Sequence, residues 1–305
     1  MPDATAPPFF SRAQNQKFAL AVAVLVLAFA VPLWKLFRFA IADDFYSYIP
    51  LLPLVSGYLA WLQKSTLSDR SEPARGLAAL FWLAGGAALA GYFWISRSAP
   101  APGLENRLAP VTLAWLLFLT SAGCWFLGGA RMRALTFPFG LLLCMIPFPT
   151  ALRDGIEIAL QHGSAAVADW LFTLAGLPFL REGMLFNLPG ISMKVAPECS
   201  GIHSTWILFI TSLVAGQMIL RHPWKRAVLC LAVIPLALLR NGFRVFVLGE
   251  LCVHIGPRMI DSPIHHRGGP LFFVLSLVPF FLLLYFLKKT EPAAAMARPS
   301  NPDKS

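Results

Sequence analysis

Apolar stretches of about twenty residues recur along this chain, each long enough to cross the roughly 30 Å hydrocarbon core of a bilayer as a helix. That recurrence limits the chain to very few folds. A length of 305 residues would otherwise suit two soluble domains. Charged residues make up only 13% of the chain and apolar ones 57%, with a mean hydropathy of +0.65. A soluble protein carries about 25% charge. The expected fold is all-α and polytopic, with about eight transmembrane helices.

The eight expected spans are Phe18–Trp34, Tyr46–Leu62, Gly76–Ser96, Leu108–Gly129, Leu135–Pro149, Gly201–Leu220, Ala227–Leu239 and Pro270–Leu287. The first is too long for a signal-peptide core and lacks a small-residue cleavage site, so it reads as an uncleaved anchor. Polar tails flank a membrane-embedded region: residues 1–17 before it, 18–287 for the region itself, and 288–305 after it. Two stretches depart from simple spans. Residues 151–175 place Leu152, Ile156, Ala159, Val167, Trp170, Leu171 and Leu174 on one helical face, with Arg153, Asp154, Glu157 and Asp169 on the other. That pattern suits an interfacial helix, or one that crosses within a bundle. Phe243–Ile255 is short for a span and reads as re-entrant or interfacial. Between them, Phe179–Ala196 alternates like a strand and breaks at Leu188-Pro189-Gly190, which predicts a short extracytoplasmic hairpin.

The net charge is +10, from 25 Lys and Arg against 15 Asp and Glu. The cations are scattered over short loops rather than gathered on one face, which argues against nucleic acid as a partner. Arg12 and Lys17, then Lys64, Arg70 and Arg75, then Arg131 and Arg133 fall on alternate connections. Arg221, Lys225 and Arg226 follow, then Lys288 and Lys289. By the positive-inside rule that side is the cytoplasm, and both tails face it. The opposite connections break the pattern in part, with Lys35 and Arg38 near Asp43 and Asp44, and Arg97 and Arg107 near Glu105.

Five cysteines with no CxxC pair describe neither a disulfide framework nor a zinc site. No HxxxH or HExxH spacing occurs, so no metal and no cofactor is expected. Cys124, Cys144, Cys230 and Cys252 lie within apolar runs as small hydrophobes would. Cys199 differs. It follows Ala196-Pro197-Glu198 and precedes Ser200-Gly201 at the non-cytoplasmic start of a span. The next span rises to Arg240-Asn241-Gly242-Phe243-Arg244, and the last begins after His265-His266-Arg267-Gly268-Gly269. Topology therefore brings a thiol, a guanidinium and an imidazole to one leaflet.

A thiol of pKa near 8.5 becomes a competent nucleophile when a cation or helix N-terminus stabilises its thiolate. Arg244 and His265 could supply positive charge and proton transfer, the equipment for acyl transfer through a thioester. Bland readings exist for each residue. Arg244 alone would serve as a snorkelling interfacial anchor. His265 and His266 would pass as loop residues, and His203 is either a competing base or a packed polar group. His162, His222 and His254 have no comparable setting.

The run Pro197-Glu198-Cys199-Ser200-Gly201-Ile202, then Asn241-Gly242-Phe243-Arg244, then His265 with Gly269 four residues on, resembles the exosortase/archaeosortase family. The resemblance covers roughly Tyr46 to Leu287. It includes Asp44-Phe45-Tyr46-Ser47-Tyr48, where that family often has a Tyr-Ser-His run. What it implies is a membrane cysteine protease or transpeptidase with Cys199 as nucleophile, Arg244 as essential arginine and His265 as third member. Glu198, Ser200, His203, Asn241 and His266 are auxiliary candidates. The implied partners are proteins anchored by a C-terminal sorting signal, comprising a Pro-Glu-Pro-type motif, an apolar helix and a basic tail. The lipid bilayer is the other partner. The doublet His265-His266 leaves two imidazoles to choose from, and the spacing to Gly269 favours His265. Ala-Pro-Glu stands before Cys199 where many members have small residues, and no appended soluble domain is expected. The His-bearing motif points to a bacterial inner membrane, with the site facing outward. A transporter, or an assembly subunit for exported polysaccharide with a non-catalytic polar site, is the competing class; a non-catalytic scaffold is a third. Against the transporter, no pair of Gly/Pro-broken spans occupies matching halves.

Overall fold

The computed structural model describes residues 12–63, 72–97, 103–195, 200–256, 258–259 and 269–291. Helices dominate, and among the described residues six are long and apolar enough to cross a membrane: residues 44–62, 75–97, 104–126, 202–219, 223–254 and 269–289. Counting each of two sharply bent helix pairs as one further span raises the number to eight. The chain divides into two compact units, Met1–Glu157 and Ile158–Ser305.

In the first unit, α1 (Arg12–Ala28) and α2 (Ala30–Ala42) meet at a 73° bend. Pro32 explains it. Proline cannot donate to the Ala28 carbonyl and its ring crowds that oxygen, so the ladder breaks there. The expected first span, Phe18–Trp34, thus runs across a corner. A 3-10 turn at Asp44–Tyr46 follows, capped by Asp43, whose carboxylate accepts from the Phe45 N–H at 2.9 Å. Tyr46 is fully buried, packs against Phe39 and Phe45, and donates to the Phe148 carbonyl at 3.4 Å. That segment, one of the stretches carrying the family resemblance, therefore anchors a helix junction.

Helices α3 (Leu51–Leu62), α4 (Arg75–Arg97) and α5 (Leu104–Phe126) complete the long elements of this unit. α4 and α5 approach closely where Gly85 faces the Phe118 ring, and Ser121 Oγ donates to the Ala78 carbonyl at 2.7 Å. Small residues and interhelical hydrogen bonds are what hold helices together when lipid is as apolar as leucine. The expected span Leu135–Pro149 is instead built in pieces. Short helices α6 (Gly129–Ala134) and α7 (Thr136–Leu141) lead into a 3-10 turn at Leu142–Met145. Pro147 and Pro149 stop further helix, and α8 (Thr150–Ala175) departs at 91°.

In the second unit, the expected hairpin is a three-stranded antiparallel meander: β1 (Leu180–Glu182), β2 (Leu185–Leu188) and β3 (Ile191–Lys194). Gly183 and Gly190, at φ +64° and +82°, make its two turns. The inward residues Phe186, Leu188 and Met193 share a core with Ala165, Ala168 and Phe172 of α8 and with Val245, Leu248 and Cys252. Those last three belong to α11 (Val233–His254), a single helix through the stretch expected to end one span and begin a re-entrant segment. Phe243–Ile255 is short of lipid-facing length because the sheet and α8 cover it. Gly242 and Gly249, two turns apart, admit α8: a Cβ at either would lie 2.5 Å from Val167 or Phe172.

The remaining helices are α9 (Ile202–Ile219), α10 (Pro223–Leu231) and α12 (Gly269–Lys289). Leu208, Leu220, Leu229, Val233, Phe280 and Leu284 form their shared core with α11. The cations expected on the cytoplasmic side cap helix ends here. Lys225 Nζ reaches the Leu287 carbonyl at 2.9 Å, Lys288 Nζ the Ile219 carbonyl at 2.9 Å, and Arg226 Nε the Leu220 carbonyl at 2.9 Å. Positive charge at the negative end of a helix dipole is favourable. It also fixes α9 and α12 as parallel, with both C-termini at one end.

Candidate functional site

With their C-termini tied together, α9 and α12 have their N-termini at the opposite end of the bundle. At 1.5 Å per residue the 18 residues of α9 rise about 27 Å. Climbing the same height, the chain through α10 and α11 arrives near residue 240. The polar cluster lies there.

The junction between Ser200 and α9 is held by α11. Asn241 Nδ2 donates to the Ser200 carbonyl, and Ser200 and Asn241 are both buried. Gly201 adopts φ +65°, and its carbonyl starts the helix by accepting from Thr205 N at 2.9 Å and Thr205 Oγ1 at 2.8 Å. Arg240 Nη2 approaches the same carbonyl and the Thr205 hydroxyl, each at 3.3 Å, while its Nε donates to Asn241 Oδ1 at 3.2 Å. No side chain would fit at Gly201. A Cβ there would collide with the Asn241 amide and lie 2.8 Å from Arg240 Nη2, in a left-handed conformation that already disfavours other residues.

Arg240 and Arg244 are one turn apart on α11, so two guanidinium groups share a helix face. Arg240 is 7% exposed, and its Nη1 has no hydrogen-bond partner among the described residues. Arg244 is half-buried. Its neighbour Phe243 makes an edge contact with Phe272 at 6.2 Å, which brings the first turn of α12 to the level of Arg244. His203 is half-buried on the first turn of α9.

Of the residues singled out from sequence, Ser200, His203, Asn241 and Arg244 are therefore gathered at one end of the second unit. Glu198, Cys199, His265 and His266 lie outside the described residues. Cys199 is the residue bonded to the pinned Ser200, and His265 precedes Gly269, the start of α12, by four positions. The four other cysteines pack as small apolar groups: Cys124, Cys144 and Cys252 are buried, and Cys230 accepts from Ser212 Oγ at 3.3 Å. Sequence reasoning missed Arg240 and Thr205. Arg240 was visible as a second cation one turn before Arg244, but the expected break in α11 removed the helical register that pairs them. Among the described residues, no three His, Cys, Asp or Glu side chains gather as a metal site.

The family model of the transmembrane exosortases matches residues 40–282, most of the chain and all of both polar motifs on α9 and α11. No curated protein and no solved structure matches it. The chain is a multi-pass membrane protein that belongs to the transmembrane exosortase family.

Proposed function

We propose that this exosortase is a membrane cysteine peptidase and transpeptidase that cleaves C-terminal sorting signals of exported proteins. It acts at the extracytoplasmic face of a bacterial inner membrane. The observation that carries the reading is the clamp of Asn241 and Arg240 on Ser200-Gly201, which tethers the residue next to Cys199 to Arg240, one helical turn from Arg244. A nucleophile gains most from this kind of rigid placement, because a small displacement of the attacking atom costs orders of magnitude in rate.

In this reading the Cys199 thiolate attacks the carbonyl carbon of the scissile peptide bond. A C–S bond forms while the carbonyl electron pair moves to oxygen, and Arg244 neutralises that developing oxyanion. The intermediate collapses, the C–N bond breaks, and the amine of the departing signal takes a proton from the His265 imidazolium. The acyl group stays on sulfur as a thioester until an incoming amine, hydroxyl or water attacks its carbonyl carbon, gives a proton to the now neutral His265 imidazole, and releases the thiolate as the C–S bond breaks. The positive N-terminus of α9 favours the thiolate at rest. Substrate and enzyme are both confined to the membrane plane, so the signal's own helix delivers the scissile bond by lateral encounter.

The test is processing of a co-expressed reporter that carries a Pro-Glu-Pro-type motif, an apolar helix and a basic tail. Cys199→Ala and Cys199→Ser should abolish cleavage while the variants insert normally. Arg244→Lys should be strongly impaired, since an ammonium lacks the planar fork of the guanidinium. Cleavage that survives in Cys199→Ala would rule out the thioester route and favour a transporter or scaffold.

A further inference from the structure

The first unit holds a cavity of about 450 Å³ between α2, α4 and α5, within the usual size range of small-molecule sites. Its wall carries three cations, Lys35, Arg38 and Arg107, set against Val31, Phe39 and Val111. These are three of the four cations that break the positive-inside pattern. Among the described residues, none of the three has a hydrogen-bond or ion-pair partner. The carboxylates nearest them in sequence are engaged elsewhere. Asp43 and Glu105 turn to Arg153, at 3.9 and 3.7 Å, and Asp43 also caps the 3-10 turn.

Three like charges around one cavity repel one another, and near a bilayer each is costly unless an anion answers it. The bend at Pro32 lays α2 across the end of α1 and so points Lys35 and Arg38 toward α5. A straight first span would carry them apart. Simple snorkelling to bulk headgroups would need neither the bend nor Arg107 from a different helix.

We propose that this cavity binds the phosphate headgroup of one anionic lipid, with Lys35, Arg38 and Arg107 around the phosphate and the apolar wall against the glycerol and upper acyl chain. The shared chemistry is a phosphate ester, and the apolar wall selects the lipid-borne form over a water-soluble one. The proposal concerns the first unit alone and does not rest on the role of Cys199.

The experiment is native mass spectrometry of the delipidated full chain in detergent, titrated with phosphatidylglycerol. The triple variant Lys35→Gln, Arg38→Gln, Arg107→Gln is compared with Lys17→Gln, Arg75→Gln, Lys289→Gln, which removes the same charge from exposed positions outside the cavity. A cation near an anionic surface contributes roughly fivefold, so the cavity variant should lose about a hundredfold in affinity for the first lipid bound. The control variant should keep it. Equal losses in both variants would overturn the site in favour of bulk charge. Equal binding of phosphatidylcholine would overturn its preference for an anionic headgroup. Displacement of the lipid by glycerol 1-phosphate at matching concentration would overturn the lipid-borne form. Thermal unfolding of each variant in the same detergent separates loss of the site from loss of the fold.

Discussion

Asn241 is a small side chain with a large structural duty. Its amide nitrogen satisfies the buried Ser200 carbonyl and its amide oxygen accepts from Arg240, so one residue fixes both the entry to α9 and a guanidinium. Asn241→Leu keeps the branched shape of the side chain and removes both bonds. A buried carbonyl left unpaired costs about 1–3 kcal/mol, so the variant should unfold at a lower temperature in detergent and process its substrate poorly. Unchanged stability would mean that the clamp contributes nothing. At this scale the sequence was partly readable. Cys199, Asn241 and Arg244 stand out as polar groups in apolar company, and Gly201 as a glycine beside them. The collision that excludes any Cβ at Gly201 was not readable, because it arises between residues forty positions apart.

Helix ends in the second unit are held by charged side chains, among them two lysines that sequence reasoning assigned only to topology. Lys225 and Lys288 cap C-terminal carbonyls, and Glu291 accepts from the backbone N–H groups of Arg221 at 2.8 Å and His222 at 3.3 Å. Partial burial raises the Glu291 pKa, but those two N–H donors, with the charges of Lys225 and His222, outweigh it and hold the carboxyl below its ordinary range. A depressed carboxylate stabilises above its unfolded value, near 4.3, and that contribution disappears as pH falls through the lower folded value. Wild type should therefore unfold at a higher temperature than Glu291→Gln near neutrality, and the two should converge in acid. A gap that is the same at all pH values would contradict the assignment. Periodicity located the long spans well because their apolar length is a local property. It failed at α11, where Arg240, Asn241 and Arg244 looked like a boundary. The helix continues there because the junction of Ser200, Gly201 and Thr205 receives the polar groups that lipid would reject, while α8 and the sheet cover the apolar residues Val245, Leu248 and Cys252.

At the scale of the whole molecule, parallel α9 and α12 and the long α11 bring Ser200, Asn241, Arg244 and the first turn of α12 to one end of the second unit. For these described residues the arrangement follows from counting spans. The corner at Pro32 and the pieced helices around Pro138 and Pro147 did not follow, since hydropathy records how apolar a stretch is and not where its axis turns. The proposed function turns on an activated thiolate at position 199 on the outer face. The most direct measurement is labelling of intact cells with a membrane-impermeant thiol reagent across pH, with Cys124, Cys144, Cys230 and Cys252 replaced by Ala. Cys199 should react rapidly below the ordinary thiol pKa of about 8.5, and the reaction should slow sharply in Arg244→Ala and His265→Ala. A thiol that stays unlabelled after partial permeabilisation, or that reacts only above that pKa regardless of Arg244, would contradict the account.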